Sequence, residues 1–481
     1  MHPFIYIYIV LLCIISSFFN SQATDTKSQI PNSLVLGLSH VRSLNTPSMT
    51  LLNSTNYDFL DIIEPVTAYT DGYLLSLNLG TPPQVFQVYL DTGSDLTWVP
   101  CGTTSYQCME CVNDHSSSKP TPMFLPTQSS SSTMDLCGSR FCVDVHSSDN
   151  RFDPCAAAGC DIPAFTSGLC PRPCPPFSYT YGGGALVLGS LARDSVTLHG
   201  SIHGIDPLSP VEFPGFSFGC VGSSIREPIG IAGFGKGTLS LPSQLGFLGK
   251  GFSHCFLGFR FARNPNVTSP LVMGDLALSA ATDGFVFTPM LRSVTYPNFY
   301  YIGLEGVSLL GDDGSGAAAM AAAPPSLSSV DPRGDGGVLV DTGTTYTHLP
   351  DPFYASLLSS LSAAAPYERS RELEARTDFD RCFRVPCARA PCAAEDRLPA
   401  ISLHLGGGAR LTLPKLSSYY PVTAVRDSVV VKCLLFRRMD DGGGGGPGAV
   451  LGSFQMQNVE VVYDLVAGRV GFLPRDCALR A

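Results

Sequence analysis

Short apolar stretches punctuated by glycine and proline run through most of this chain, and few segments keep the spacing of an amphipathic helix. The clearest pattern begins at Tyr73-Leu74-Leu75-Ser76-Leu77-Asn78-Leu79, turns at Gly80-Thr81-Pro82-Pro83, and resumes in an apolar run that ends at Asp91. Tyr300-Tyr301-Ile302-Gly303-Leu304 onward echoes it, ahead of a second apolar run, Val338-Leu339-Val340, that ends at Asp341. One helix is predicted from Pro352 to about Ala364, with Asp351 as its cap, Pro352 in its first turn, and Phe353, Leu357, Leu358 and Leu361 on one face. The chain from Thr24 to about Val66 shows no clear strand alternation and reads as a removable pro-segment or a flexible N-terminus. Gly311 to Gly337, with its alanine run, and Asp440 to Gly448, with its glycine run, read as flexible loops.

The two aspartates that end these strands open one repeated motif. Asp91-Thr92-Gly93-Ser94 and Asp341-Thr342-Gly343-Thr344 lie 250 residues apart, each behind the same strand pattern, which points to a duplicated lobe. A carboxylate after an apolar strand, in a turn where glycine permits unusual backbone angles, is partly buried and pre-oriented. Two such carboxylates sharing a site cannot both ionise, so one proton is held between them and the pair titrates in two steps. The ionised member can take a proton from a water while the protonated member polarises a carbonyl. That chemistry is amide hydrolysis without a covalent intermediate, and it calls for no metal or organic cofactor.

Composition narrows the setting. Charged residues make up 15% of the 481, and the abundance of Gly, Pro, Val, Phe and Tyr favours strands and turns. A net charge of −10, with no Lys/Arg-rich run, argues against a nucleic-acid partner. Residues Phe4 to Phe19 are apolar and precede Ser21-Gln22-Ala23, as in a secretory signal, and the run is shorter than the roughly 20 residues of a spanning helix. The expected product is a secreted monomer, apoplastic or vacuolar, with no membrane attachment once the signal is gone. Of 17 cysteines, Cys13 leaves with the signal, and the 16 that remain point to a disulfide framework. Cys108-Met109-Glu110-Cys111 could form half a zinc site, but no second pair has matching spacing. Eleven cysteines fall between Cys101 and Cys255 and five between Cys382 and Cys477, so full pairing requires at least one bridge between the halves. Asn53 and Asn266 open glycosylation sequons.

The motifs resemble those of the pepsin-type (A1) aspartic peptidases, in particular the plant nepenthesin-like branch with its cysteine-rich insertion. The likeness runs from about Tyr73 to Cys477. Besides the two aspartate loops it includes Phe218-Gly219-Cys220, Pro228-Ile229-Gly230-Ile231-Ala232-Gly233-Phe234-Gly235, Val450-Leu451-Gly452-Ser453-Phe454 and Val461-Val462-Tyr463-Asp464. It implies a mostly β, bilobal pepsin-like fold with the active-site cleft between two related β lobes. The boundaries are a signal at 1–23, a pro-segment at 24–70, an N-terminal lobe at 71–290 carrying the insertion (101–174) and a flap, and a C-terminal lobe at 291–481. Thr92 and Thr342 would lock the two loops together, and Ser94 and Thr344 would set hydroxyls beside the carboxylates. Tyr181, in Tyr179-Thr180-Tyr181-Gly182-Gly183-Gly184-Ala185, takes the position of the flap tyrosine, and Trp98 falls where an indole supports it. By residue type alone Trp98 reads as a buried core residue. Gly183 and Ala185 depart from the acidic or hydroxyl residue and the serine usual in that flap, which removes two possible hydrogen bonds to a bound peptide. The implied substrate is a polypeptide with large hydrophobic side chains flanking the cut.

Two other readings fit parts of the sequence. Gly215-Phe216-Ser217-Phe218-Gly219 spells a serine-hydrolase elbow, but its alternation reads as strand rather than strand-turn-helix. A catalytically silent relative acting as an inhibitor or cell-wall binding protein is the stronger rival. Such proteins usually have a disrupted active-site motif, and here both motifs are whole.

Overall fold

The computed structural model describes residues 31–42 and 72–478, apart from 104, 112–120, 148–152, 162, 164–169, 203–205, 208–209, 265, 280–283, 312–316, 388–395 and 440–444. The predicted signal, Asn53 and the glycine run at 442–446 therefore lie wholly or mostly outside the described residues. From Ser33 onward the chain forms one compact unit.

The two halves are built alike around the aspartate strands. Tyr73–Leu79 and Gln84–Asp91 form a hairpin whose turn holds Gly80 at φ 90°, a backbone that favours glycine. Gln84–Asp91 then lies parallel to Ile231–Gly233, with Asp91 opposite Gly233. In the second half Val338–Asp341 lies parallel to Ala449–Gly452, with Asp341 opposite Gly452. A second parallel pair follows each: Trp98–Pro100 beside Val211–Ile225, and Thr347–Leu349 beside Phe436–Arg438. Parallel pairs bury both faces, which is why Val338, Leu339 and Val340 are a continuous apolar run, all three buried.

A third sheet joins the halves. Its order is Ser33–His40, Ser269–Gly274, Phe252–Cys255, Val459–Asp464, Arg469–Pro474 and Val286–Leu291, all antiparallel. One reading of the sequence needs correction here. Residues 24–66 are not without strand: Ser33–His40 pairs with 269–274 and buries Leu34, Leu36 and Leu38. The strand Val286–Leu291, at the end of which the expected lobe boundary of 290/291 lies, pairs with Arg469–Pro474. Cys255–Cys477 crosses between the halves within this region, as cysteine parity requires.

The insertion is cross-linked by Cys108–Cys111, Cys137–Cys155, Cys142–Cys174 and Cys160–Cys170, and Cys101–Cys220 ties it to the long strand Val211–Ile225. It is more than surface: Phe141, Val145 and several of these cysteines form a buried cluster with Leu96, Trp98, Phe177 and Leu191. The six-residue helix Arg140–Val145 that contributes is too short to show a period in the sequence.

The helix Phe353–Ala364 buries Phe353, Tyr354, Leu357, Leu358 and Leu361, but Pro352 occupies the cap position and makes no side-chain cap bond. Asp351 instead accepts from the Ala355 amide at 3.3 Å. The alanine run is a strand, Ala317–Ala322, on the edge of a sheet with Leu304–Leu310, rather than a loop. Ser217 sits inside Val211–Ile225, fully buried, and donates to Asp135 at 2.6 Å, so it is no nucleophile elbow.

Candidate active site

The repeated motifs meet face to face. Thr92 Oγ1 accepts from the Thr342 amide (3.0 Å) and donates to the Val340 carbonyl (2.9 Å). Thr342 Oγ1 mirrors it, accepting from the Thr92 amide (2.9 Å) and donating to the Leu90 carbonyl (2.8 Å). Each threonine thus grips the two peptides that flank the opposite aspartate, and both are buried.

The carboxylates are held by a second mirrored set. Asp91 Oδ1 accepts from the Gly93 amide and Asp341 Oδ1 from the Gly343 amide, each at 2.8 Å. Ser94 donates to Asp91 Oδ2, and Thr344 to Asp341 Oδ2 at 2.6 Å. The glycines serve a purpose other than the one inferred from sequence, since neither Gly93 nor Gly343 has a positive φ. A Cβ on Gly93 would sit 2.6 Å from Asp341 Oδ1, and one on Gly343 would collide with Asp91. Their lack of a side chain lets each loop approach the opposite carboxylate.

The pair is chemically unequal. Asp91 is 6% exposed and Asp341 more so. Burial, and then the Asp341 carboxylate beside it, hold the Asp91 carboxyl well above the usual range, against the pull of Ser94 and Gly93.

Near Asp91 lies the hairpin Phe177–Thr180 and Leu186–Leu198, whose tip is Tyr181 to Ala185. The Trp98 indole N–H donates to Tyr181 Oη at 2.8 Å, with Trp98 fully buried. Trp98 is thus at once a buried residue and a hydrogen-bond partner of the tyrosine at the hairpin tip. Burial, then Tyr179 and Asp91, push the Tyr181 phenol well above its ordinary value. Ala185 is buried, while Gly182, Gly183 and Gly184 are exposed. Asn266 is exposed in a turn far along the chain from this centre.

Two features went unread in the sequence. Asp95, next to Ser94, accepts from the Gly237 amide and from Asn298 Nδ2, both at 2.7 Å, while the Asn298 carbonyl accepts from the Lys236 amide at 2.8 Å. This second tie between halves has no counterpart motif, so only the position of Asp95 after Asp91-Thr92-Gly93-Ser94 could have marked it. Arg226 and Glu110 meet beside the flap tip, and nothing in their spacing announces it. Among the described residues, the triads of cysteine and histidine close enough for a metal, Cys137/Cys160/Cys170 and Cys142/His146/Cys174, consist of disulfide cysteines and one histidine.

Two β lobes presenting mirrored, hydrogen-bonded aspartates to one another define the architecture of an aspartic protease. Comparison with known proteins agrees. Residues 73–275 match the family model described as xylanase inhibitor N-terminal, and residues 299–474 the one described as xylanase inhibitor C-terminal. A probable aspartyl protease of Arabidopsis thaliana, At4g16563, is 35% identical over 86% of this chain and 84% of its own. Aspartic proteinase nepenthesin-2 of Nepenthes gracilis is 28% identical over 93% of this chain and 86% of its own. The crystal structure of conglutin gamma from lupine seeds superposes with a TM-score of 0.61 at 18% identity, covering 93% of this chain and 96% of that one, and shares the fold. The chain belongs to the pepsin-like A1 aspartic protease family.

Proposed function

We propose that the chain is a secreted aspartic endopeptidase that hydrolyses peptide bonds with a water activated between Asp91 and Asp341. The observation that carries this reading is the complete mirrored set of hydrogen bonds on the two carboxylates, combined with their unequal burial. Burial favours the neutral form, so the shared proton resides on Asp91, which polarises the scissile carbonyl. Asp341, the more exposed member, takes the proton of the attacking water. Thr92 and Thr342 keep the carboxylates in register, and Tyr181, steadied by Trp98, covers the bound polypeptide. Secretion is favoured by the disulfides, and no helix among the described residues is long and apolar enough to cross a membrane.

The family-model description brings in a second reading, a binding or inhibitor protein. It does not require intact carboxylates with all their hydrogen-bond donors, and this chain has them. The test is cleavage of an unfolded protein across roughly pH 2.5 to 7, with and without a statine-type inhibitor, beside Asp91→Ala and Asp341→Ala. The peptidase reading expects inhibitable activity with an acidic optimum, absent from both folded variants. Turnover by either variant overturns the dyad, and a folded, inactive wild type favours the binding reading.

A further inference from the structure

The flap tip of this chain has little of its own to hold it. Gly183 and Gly184 stand at φ 70° and 79°, and the bond across the tip runs from the Tyr181 amide to the Ala185 carbonyl at 2.8 Å. Three successive glycines lose more conformational freedom on ordering than any other residues would. Yet Tyr181 must be placed closely enough to meet the Trp98 indole.

A contact from outside the hairpin supplies the restraint. Arg226 follows the strand Val211–Ile225 at the point where Ile225 is flanked by Leu186 of the flap on one side and Met109 on the other. Its Nη1 donates to the Gly183 carbonyl at 2.6 Å. Its Nε and Nη2 reach Glu110 Oε2 at 2.9 and 2.7 Å, and its amide donates to the Met109 carbonyl at 2.8 Å. Glu110 lies in the tight loop closed by Cys108–Cys111. The guanidinium is a planar fork, so two donors fixed on Glu110 aim the third at the flap. Both partners also adopt left-handed backbone, Arg226 at φ 66° and Glu110 at φ 55°, which few residues other than glycine do. Side chains 45% and 61% exposed make this a weak ion pair for stability, so its value lies in where it points.

We propose that Arg226, oriented by Glu110, is a positioning residue that latches the flap tip over the site and sets how firmly a polypeptide is clamped. The effect on clamping rests on the peptidase reading above; the latch itself does not.

Trp98 is the only tryptophan in the chain and bonds to the flap, so its emission reports the flap directly. Purified mature protein and its Arg226→Ala, Arg226→Lys and Glu110→Ala variants are compared by acrylamide quenching of Trp98, steady-state kinetics on a polypeptide substrate, and guanidinium unfolding. Arg226→Ala should quench more readily and raise KM about five-fold, equivalent to ~1 kcal/mol at 1.4 kcal/mol per factor of ten, with kcat and the unfolding midpoint little changed. Glu110→Ala should act in the same direction, the double variant should be no worse than Arg226→Ala, and Arg226→Lys should lie between. Wild-type quenching and KM in Arg226→Ala overturn the latch, as does a loss confined to the unfolding midpoint. If Arg226→Ala does not fold, Glu110→Ala decides by the same readings. If the wild type proves inactive, the peptidase reading fails, and quenching alone still decides the latch.

Discussion

Replacing Thr92 with valine keeps the shape of the side chain and deletes one oxygen. That oxygen accepts from the Thr342 amide and donates to the Val340 carbonyl, and both partners lie where water cannot replace it. Stranding a buried donor or acceptor costs about 1–3 kcal/mol, so two together cost about 2–6 kcal/mol. A typical domain is stable by about 5–15 kcal/mol, so Thr92→Val should shift the unfolding midpoint strongly without changing the denaturant slope. Thr342→Val strands the Thr92 amide and the Leu90 carbonyl, the mirror pair, and should cost the same within about 1 kcal/mol. Thr92→Ser keeps the oxygen and should lose only the share of one methyl, about 1 kcal/mol. Guanidinium unfolding followed by Trp98 emission measures all three. A Thr92→Val variant within about 0.5 kcal/mol of wild type, or one far from Thr342→Val, would falsify the claim that the paired hydroxyls hold the lobes in register.

Further expectations follow from the same geometry. Gly93→Ala places a methyl against the Asp341 carboxylate and should lower kcat by about 100-fold by displacing it, while circular dichroism stays native; undiminished kcat would show that the loop yields freely. His254 is fully buried, and burial brings its imidazole down to about 3; His40, lowered by burial and then by Arg42, also falls to about 3. Both are neutral when folded and titrate near 6.5 when unfolded. Stability from this source is therefore greatest above 6.5 and is lost as pH falls toward 3. His254→Phe should flatten that acid limb in thermal melts, and an unchanged slope would remove the histidine as its cause. Glu227 has the opposite sign. Burial pushes its carboxyl up to about 7 from 4.5, so its contribution is complete below 4.5 and lost as pH rises through 7. Glu227→Gln should flatten the neutral limb, and melts that still steepen there would assign that slope elsewhere.

What could be read in advance was local. The aspartate loops announce themselves because glycine, a hydroxyl and an apolar strand sit within a few residues of the carboxylate, and the helix Phe353–Ala364 because its buried face repeats over three turns. The reason for the glycines was misread, since a steric demand made by residues 250 positions away looks, in one strand of sequence, like a turn requirement. The strand Ser33–His40 was missed because its partner lies more than 200 residues later, at Ser269–Gly274. Ala317–Ala322 is a strand because Leu304–Leu310 offers it an edge, and alanine on its own has no preference for one. Asp95 with Asn298 and Arg226 with Glu110 join segments whose proximity exists only once the chain has folded.

The strand Ser33–His40 also constrains how the chain could be shortened from its N-terminal side. Six of its residues are matched to Gly274 through Ser269, and two more to Leu74 and Tyr73. Trimming past Ser33 would leave Ser269–Gly274 with a row of unpaired amides and carbonyls, and would uncover the bed of Leu34, Leu36 and Leu38, an open invitation to aggregation. A cut between 43 and 71 has another outcome: the strand stays, held by the sheet alone, and the finished molecule is two polypeptides. Any proteolytic shortening that preserves this sheet would therefore either stop short of Ser33 or leave a small resident peptide behind.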